Sequence, residues 1–225
     1  MKNKRIVKHL LTPVLKVMAS RYLERERIYS YNGLSLRISP GVFHPGMFFS
    51  TKILLNYLLC FDLKNKKVLE LGAGSGLISM AAASKGAMAT ASEISKTALH
   101  DLGFNSSANN LPVNIIQSDL FDNIPDAGFD FIIINPPYFP LDPMKESEYA
   151  WCCGRDFQYF RKLFLQLNRF KNCKAEILMI LSEDCAIDSI KKIAFESGIV
   201  LNRVKEVRNW FEENYIFSLK LNDFG

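Results

Sequence analysis

The chain has 225 residues, 48% of them hydrophobic and 23% charged, with a net charge of +5. That length suits one α/β domain with a full core plus a short extension, and no run approaches the roughly 20 apolar residues of a membrane span. The five cysteines form no C-x-x-C pair and the three histidines are scattered, so neither a disulfide framework nor a metal site is expected, and a reducing, cytoplasmic setting is.

The charge is unevenly placed. Residues 1–27 hold eight Lys/Arg and two Glu, a net +6, which leaves −1 for everything after them. A near-neutral body with basicity at one end is a weaker nucleic-acid signal than a basic domain face.

In chain order, residues 2–27 read as an amphipathic helix with Ile6, Leu10, Val14, Met18 and Tyr22 on one side, kinked or restarted at Pro13. Lys16 interrupts its apolar stretch and charged residues follow in place of a cleavage site, which argues against a secretory leader. This helix either packs on the domain with a solvated basic face or contacts an acidic partner or a membrane surface. Ile28–Ile38 alternates around Asn32-Gly33, the signature of a hairpin whose turn needs positive φ twice. Ser50 or Thr51 is placed to cap a helix over Lys52–Cys60.

From there strands and helices alternate. Strands are expected at Lys67–Leu71, Ala87–Glu93, Val113–Gln117, Phe129–Asn135 and Ala175–Leu181, with helices at Gly76–Lys85, Lys96–Asn109, Phe157–Leu167 and Ala186–Ser197. Two final strands, Val200–Val207 and Tyr215–Leu221, follow each other without a helix and should pair antiparallel. The pattern predicts an α/β Rossmann-like fold: a seven-stranded, mostly parallel sheet with an antiparallel terminal strand. The expected division is an extension over 1–40 (helix and hairpin) and a catalytic domain over 41–225.

The segment Val68-Leu-Glu-Leu-Gly-Ala-Gly-Ser-Gly76 runs a buried strand into a glycine-rich turn, where the backbone can approach a ligand closely. A dinucleotide fingerprint would put a third glycine where Leu77 stands, and no lysine completes a phosphate loop. Glu70 lies two residues before the first glycine; a carboxylate there suits the cationic methionine end of S-adenosylmethionine (AdoMet) and would oppose a pyrophosphate. Glu93 ends the next strand, positioned to accept from ribose hydroxyls or else a solvated strand end. Asp119 follows the third strand, positioned to accept from an adenine amino group or else a turn or cap residue. Gly72, Ala73, Gly74, Gly76, Ile94 and Leu120 complete the expected cofactor contacts.

The fourth strand ends in Ile134-Asn135-Pro136-Pro137-Tyr138. An amide or aromatic amino nitrogen is a poor nucleophile because its lone pair is delocalised. Two acceptors on its hydrogens, the side-chain oxygen of Asn135 and the carbonyl of Pro136, would hold it in line and favour rehybridisation. The prolines stiffen the turn, and Tyr138 is expected to stack on the flat acceptor. The competing reading of Asn-Pro-Pro is a tight loop after a strand.

Together Val68–Gly76, Glu93, Asp119 and Asn135–Tyr138 resemble the class I AdoMet-dependent methyltransferases of the Asn-Pro-Pro-Tyr type, over about Val42 to Leu221. Within that group the chain looks most similar to the release-factor glutamine N5-methyltransferases and their small relatives. The added support is Phe43-His-Pro-Gly-Met-Phe-Phe-Ser-Thr51 before the cofactor strand and Glu148-Tyr-Ala-Trp-Cys-Cys-Gly-Arg155 after the acceptor motif. The resemblance implies cofactor roles for Glu70, Gly72, Gly74, Glu93 and Asp119, a looser one for Thr51, and acceptor roles for Asn135 and Tyr138. Three departures leave the substrate open: a shorter N-terminal part, Cys153-Gly154 in place of Gly-Gly, and Phe139 in place of a small aliphatic residue. A protein glutamine, in a translation factor, is the first expectation for the acceptor. Adenine N6 in RNA or DNA comes next, for which the basic N-terminal helix could track phosphates, then a small-molecule amine or amide. A non-catalytic scaffold of the same fold is the reading from another class.

Overall fold

The computed structural model describes residues 24–125, 128–171, 173–209 and 212–221. The amphipathic helix expected over 2–27 therefore lies almost wholly outside the described residues, as do Trp210 and Phe211.

The chain enters with a hairpin, β1 (Arg27–Tyr31) and β2 (Leu34–Ile38), whose turn residues Asn32 and Gly33 have φ of 47° and 84°. Seven further strands and five α-helices then account for most of the described chain: α1 (Phe49–Leu58), β3 (Lys67–Leu71), α2 (Leu77–Ser84), β4 (Met88–Glu93), α3 (Lys96–Ala108), β5 (Val113–Gln117), β6 (Phe131–Ile134), α4 (Gln158–Leu167), β7 (Glu176–Ser182), α5 (Ile187–Glu196), β8 (Ile199–Arg208) and β9 (Glu213–Leu221). β3 to β9 form one seven-stranded sheet in the order β5-β4-β3-β6-β7-β9-β8, parallel except that β9 runs antiparallel to both β7 and β8. The expected α/β architecture is thus the one observed, with element ends displaced by at most three residues.

The sheet is covered on both faces because its central strands are apolar on both. Leu69, Leu71, Ile132, Ile134, Met179 and Leu181 pack under α4 and α5 on one side, and Val68, Phe131, Ile133, Leu178 and Ile180 pack with α1 and α2 on the other. β6, Phe-Ile-Ile-Ile, is buried at every position. Such two-sided strands read as continuous apolar runs, as a buried parallel sheet requires.

One expectation fails. Neither Ser50 nor Thr51 caps α1; the helix starts earlier, at Phe49, with Phe48 at the cap position and no side-chain cap bond. Thr51 falls inside the first turn, buried, with its hydroxyl committed elsewhere. A helix N-terminus leaves several N–H groups unpaired whichever residue leads it, so tertiary demand on the threonine prevailed over local capping.

The hairpin is fastened to α3 by polar groups. Asp101, fully buried, accepts from Arg37 Nε (3.1 Å), Ser39 N (2.6 Å) and Ser39 Oγ (2.8 Å). One turn on, Asn105 accepts from Arg37 N and donates to the carbonyls of Arg37 and Ser75, tying the hairpin to the glycine turn. Asn109 repeats the pattern on Ser35. Removing one partner of a buried charge pair strands the other. Asp101→Ala is therefore expected to cost about 3–5 kcal/mol, measured by urea denaturation, whereas Asn109→Ala at the exposed end should cost about 1 kcal/mol.

Candidate active site

Strand register assembles the site. Leu71 of β3 pairs with Ser92 of β4 and with Ile134 of β6, and Glu93 pairs with Gln117 of β5. The chain therefore leaves adjacent strands, spaced roughly 4.8 Å apart, at Gly72, Glu93, Ser118 and Asn135. The strand order turns outward in both directions from β3 and β6, so this is the topological switch point where open α/β sheets bind ligands. A cavity of about 490 Å³ occupies it, lined among others by Thr51, Glu70, Gly72, Ala73, Gly74, Glu93, Ile94, Asp119, Leu120, Asn135 and Pro137. Three expected residues, Gly76, Pro136 and Tyr138, are not in its wall, and Pro136 is buried. Gly76 sits at the cap of α2 with φ 82°, where a Cβ would stand 2.5 Å from Leu102; it is a glycine for helix packing. Tyr138 packs against the core beneath β7.

Gly72 has φ 71°, and an added Cβ would meet nothing within 4 Å. Its small size is not needed for packing against the protein, which leaves open room over the backbone. Gly72 N and Ala73 N both donate to Ser92 O, fixing the turn.

The three acids have different partners. Glu70 is buried on the α2 face and takes Ser79 N (2.7 Å) and Ser79 Oγ (2.5 Å) on one oxygen, satisfying a free donor of the helix start. Burial pushes its carboxyl up from 4.5 to about 7, the Ser79 bonds oppose that shift, and the nearby Glu93 adds to it. Glu93 accepts Gly74 N on Oε2 (2.9 Å) and Ile94 N and Ser95 N on Oε1 (2.8 and 3.0 Å), clamping the glycine turn to the end of β4. Asp119 takes Lys162 Nζ at 2.6 Å, and the same ammonium reaches Asp122 at 2.7 Å.

Asn135 donates from Nδ2 to Thr51 Oγ1 at 3.1 Å. Among the described residues no donor reaches its Oδ1 or the carbonyl of Pro136. The motif is braced from the next loop: Tyr138 N and Phe139 N donate to Trp151 O, and Cys153 N donates to Phe139 O. Trp151 meets Phe43 in a tilted contact and Phe48 edge-on, with ring centroids 5.0 and 4.7 Å away, joining that loop to the one before α1. Burial, with lesser contributions from Cys185, Glu212 and Asp184, raises the Tyr138 hydroxyl to about 12.

Of the lining residues, Tyr159 was readable from the sequence either as an acceptor-pocket aromatic, beside Trp151, Phe157 and Phe160, or as core, while Lys162, Phe43 and Tyr149 were not singled out. Lys162 and Tyr159 reach the cavity from α4. Burial, then the charges of Glu93 and Asp119, push the Tyr159 hydroxyl far above its ordinary range. The one signal for Lys162 was helical spacing from the buried Phe160 and Leu163, and the polar side of such a helix normally reads as solvent-facing. Phe43 and Tyr149 come from loops without periodicity.

Among the described residues no cluster of His, Cys, Asp or Glu could hold a metal, and no helix is long and apolar enough to cross a membrane. Fold and site together define a Rossmann-like class I methyltransferase, an enzyme that takes AdoMet as its methyl donor. The chain belongs to the methyltransferase small domain family, whose model matches residues 33–146. A Methanocaldococcus jannaschii protein named as a candidate protein N5-glutamine methyltransferase is 40% identical over 134 residues, 57% of this chain and 66% of that one. The release factor glutamine methyltransferase of Lactococcus lactis is 36% identical over 121 residues, 52% of this chain and 44% of that one. The chain thus matches less than two thirds of either relative. Among solved structures, the Thermus thermophilus 16S rRNA N2 G1207 methyltransferase, in complex with AdoMet and guanosine, superposes with a TM-score of 0.63 at 21% identity, covering 87% of this chain and 50% of that one.

Glu70 makes a pH test possible. Its folded pKa lies above its ordinary value, so its favourable, protonated contribution is complete below about 4.5 and is lost as pH rises through about 7. Glu70→Gln keeps an oxygen for Ser79 without the charge. In the ligand-free protein it should match the wild type at pH 4.5 and exceed its stability at pH 8 by about 3 kcal/mol, read from denaturant midpoints at the two pH values.

Proposed function

We propose that this chain methylates the side-chain amide of a glutamine in a protein of the translation apparatus. The observation that carries the reading is the held carboxamide of Asn135: Thr51 takes its N–H, so Oδ1 is left as an acceptor at the cavity wall, one rung from the glycine turn. The name of the 40%-identical relative supports glutamine over adenine.

AdoMet, when bound, supplies an activated methyl group on a sulfonium, so the protein has no need to generate an electrophile. The residues that would hold it fit such a molecule. The open floor over Gly72 admits a ligand against the backbone. Glu70 is a buried carboxyl awaiting a cation, and in our reading it ionises when it meets the ammonium of the methionine end. Glu93 has three of about four acceptor directions filled, so it takes one ribose hydroxyl directly and a second only if Gly74 N–H yields. Asp119, held by Lys162, and Tyr159 would hold the adenine end, with Ile94 and Leu120 as apolar walls of the cavity.

On the acceptor side, Asn135 Oδ1 and the Pro136 carbonyl take the two hydrogens of the substrate NH2. Holding both hydrogens fixes the nitrogen's plane and opposes amide resonance, directing the lone pair at the methyl carbon. Methyl transfer from the sulfonium would leave the nitrogen acidic, and with both hydrogens held by Asn135 Oδ1 and the Pro136 carbonyl it would lose one proton to water. Most of the rate gain comes from positioning, worth on the order of 7–11 kcal/mol when reacting atoms are held near contact. Thr51 acts through Asn135: without its oxygen the carboxamide can rotate and present N–H where an acceptor is needed. Tyr138, packed on the core, supports the turn and does not stack on substrate in this arrangement.

Three measurements test the reading. Asn135→Ala should lower kcat on the order of 10²–10³-fold while AdoMet binding by calorimetry stays within about twofold. Thr51→Val should lower kcat about tenfold, with Thr51→Ser restoring it; equal losses in both variants would remove Thr51 from the positioning role. AdoMet affinity should rise from pH 6 to pH 8, because binding a cation favours ionised Glu70, and this rise should vanish in Glu70→Gln.

A further inference from the structure

The loop that follows the acceptor motif is unusual in composition for a surface segment. Phe139, Leu141, Met144 and Tyr149 are 40%, 60%, 88% and 48% exposed. These are four of the thirteen exposed large hydrophobic residues among the described residues, gathered within eleven positions. They are not loose. Cys153 N and Gly154 N donate to the carbonyls of Phe139 and Leu141, Asp142 accepts from Arg155 N (2.9 Å), and Glu148 accepts from Met144 N (2.7 Å). Holding large apolar groups in water on a braced loop has no benefit for the isolated fold, and patches of this kind mark contact surfaces. The position matters as much as the composition. Asp142, Pro143, Glu146 and Tyr149 of the same loop line the cavity, so the patch borders its mouth.

The loop itself carries a net negative charge. Residues 139–157 carry Asp142, Glu146, Glu148 and Asp156 against Lys145 and Arg155, a net of −2. Asp184, in the turn after β7, and Glu212, just before β9, act electrostatically on the neighbouring Tyr138. A nucleic acid brings a phosphate charge with every nucleotide and would be repelled here. A polypeptide with apolar and basic side chains meets both features of the surface.

We infer that Phe139–Tyr149 is the docking surface for the acceptor protein, engaging a segment that is apolar and basic around the residue to be methylated. This rests on the protein-acceptor reading above and adds what the acceptor must present.

Fluorescence anisotropy with the AdoMet-loaded protein tests it. The probes are a twelve-residue peptide with a central Gln flanked by Leu and Lys/Arg, the same peptide with Glu for Lys/Arg, and a twelve-nucleotide single-stranded RNA. The basic peptide should bind at least tenfold tighter than either competitor. Leu141→Asp/Met144→Asp, at exposed positions outside the cavity wall, should weaken that binding at least tenfold while the AdoMet Kd and the Tm stay unchanged. Equal binding of the acidic peptide or the RNA, or full binding by the double variant, would overturn the inference. Methylation of the bound peptide is scored separately by mass spectrometry. Basic-peptide binding that disappears in the double variant, without methyl transfer, would leave the docking surface standing and remove glutamine as the acceptor.

Discussion

The parallel pairing of β3 with β6 is the constraint on which the rest of the molecule depends. With Leu71 opposite Ile134, the glycine turn and Asn135 leave the sheet on neighbouring strands at the same level. Both strands are buried on both faces, so a slip in register would turn apolar side chains out of one core and into the other. The cavity is therefore placed by the most heavily packed part of the structure. A methyl transfer that depends on positioning needs that rigidity, since it has little other source of rate.

Around this seam the acids are spent partly on structure and partly on the cavity. Glu70 completes the start of α2, Glu93 clamps the glycine turn to β4, and Asp119 shares Lys162 with Asp122. Each carboxylate is thus held in place before any ligand arrives. The cost is concentrated at Glu70, whose burial keeps it half protonated near neutrality. In the reading proposed above, a cationic ligand relieves that cost and converts a destabilising group into part of the binding energy.

Two loops close the site, and both are tied down from outside it. The segment before α1 is anchored through the hairpin by Asp101 and Asn105 of α3, and the segment after β6 by its backbone bonds to Trp151. Phe43, Phe48 and Trp151 join the two across the top. Thr51 links the first loop's helix to Asn135, so the acceptor group is oriented by an element 84 residues away in sequence.

What could be read from residues alone was what depends on local pattern. The alternation of apolar strands with amphipathic helices, the positive-φ turn at Asn32-Gly33, the glycine run after Leu71 and the Asn-Pro-Pro turn each carry their meaning within a few positions, because backbone sterics and side-chain period act at that range. What the tertiary structure decided was which of these groups meet and which are already occupied. Spacing identified Gly76 as one of a glycine set, but only the approach of Leu102 makes it a packing glycine. Thr51 looked like a helix cap until Asn135 claimed its hydroxyl. Tyr138 turned to the core, and Tyr159 and Lys162 turned to the cavity, choices made by packing between elements far apart in the chain. Contacts of that kind leave no periodic trace in a sequence, since their partners are set by strand order and register and not by distance along the chain.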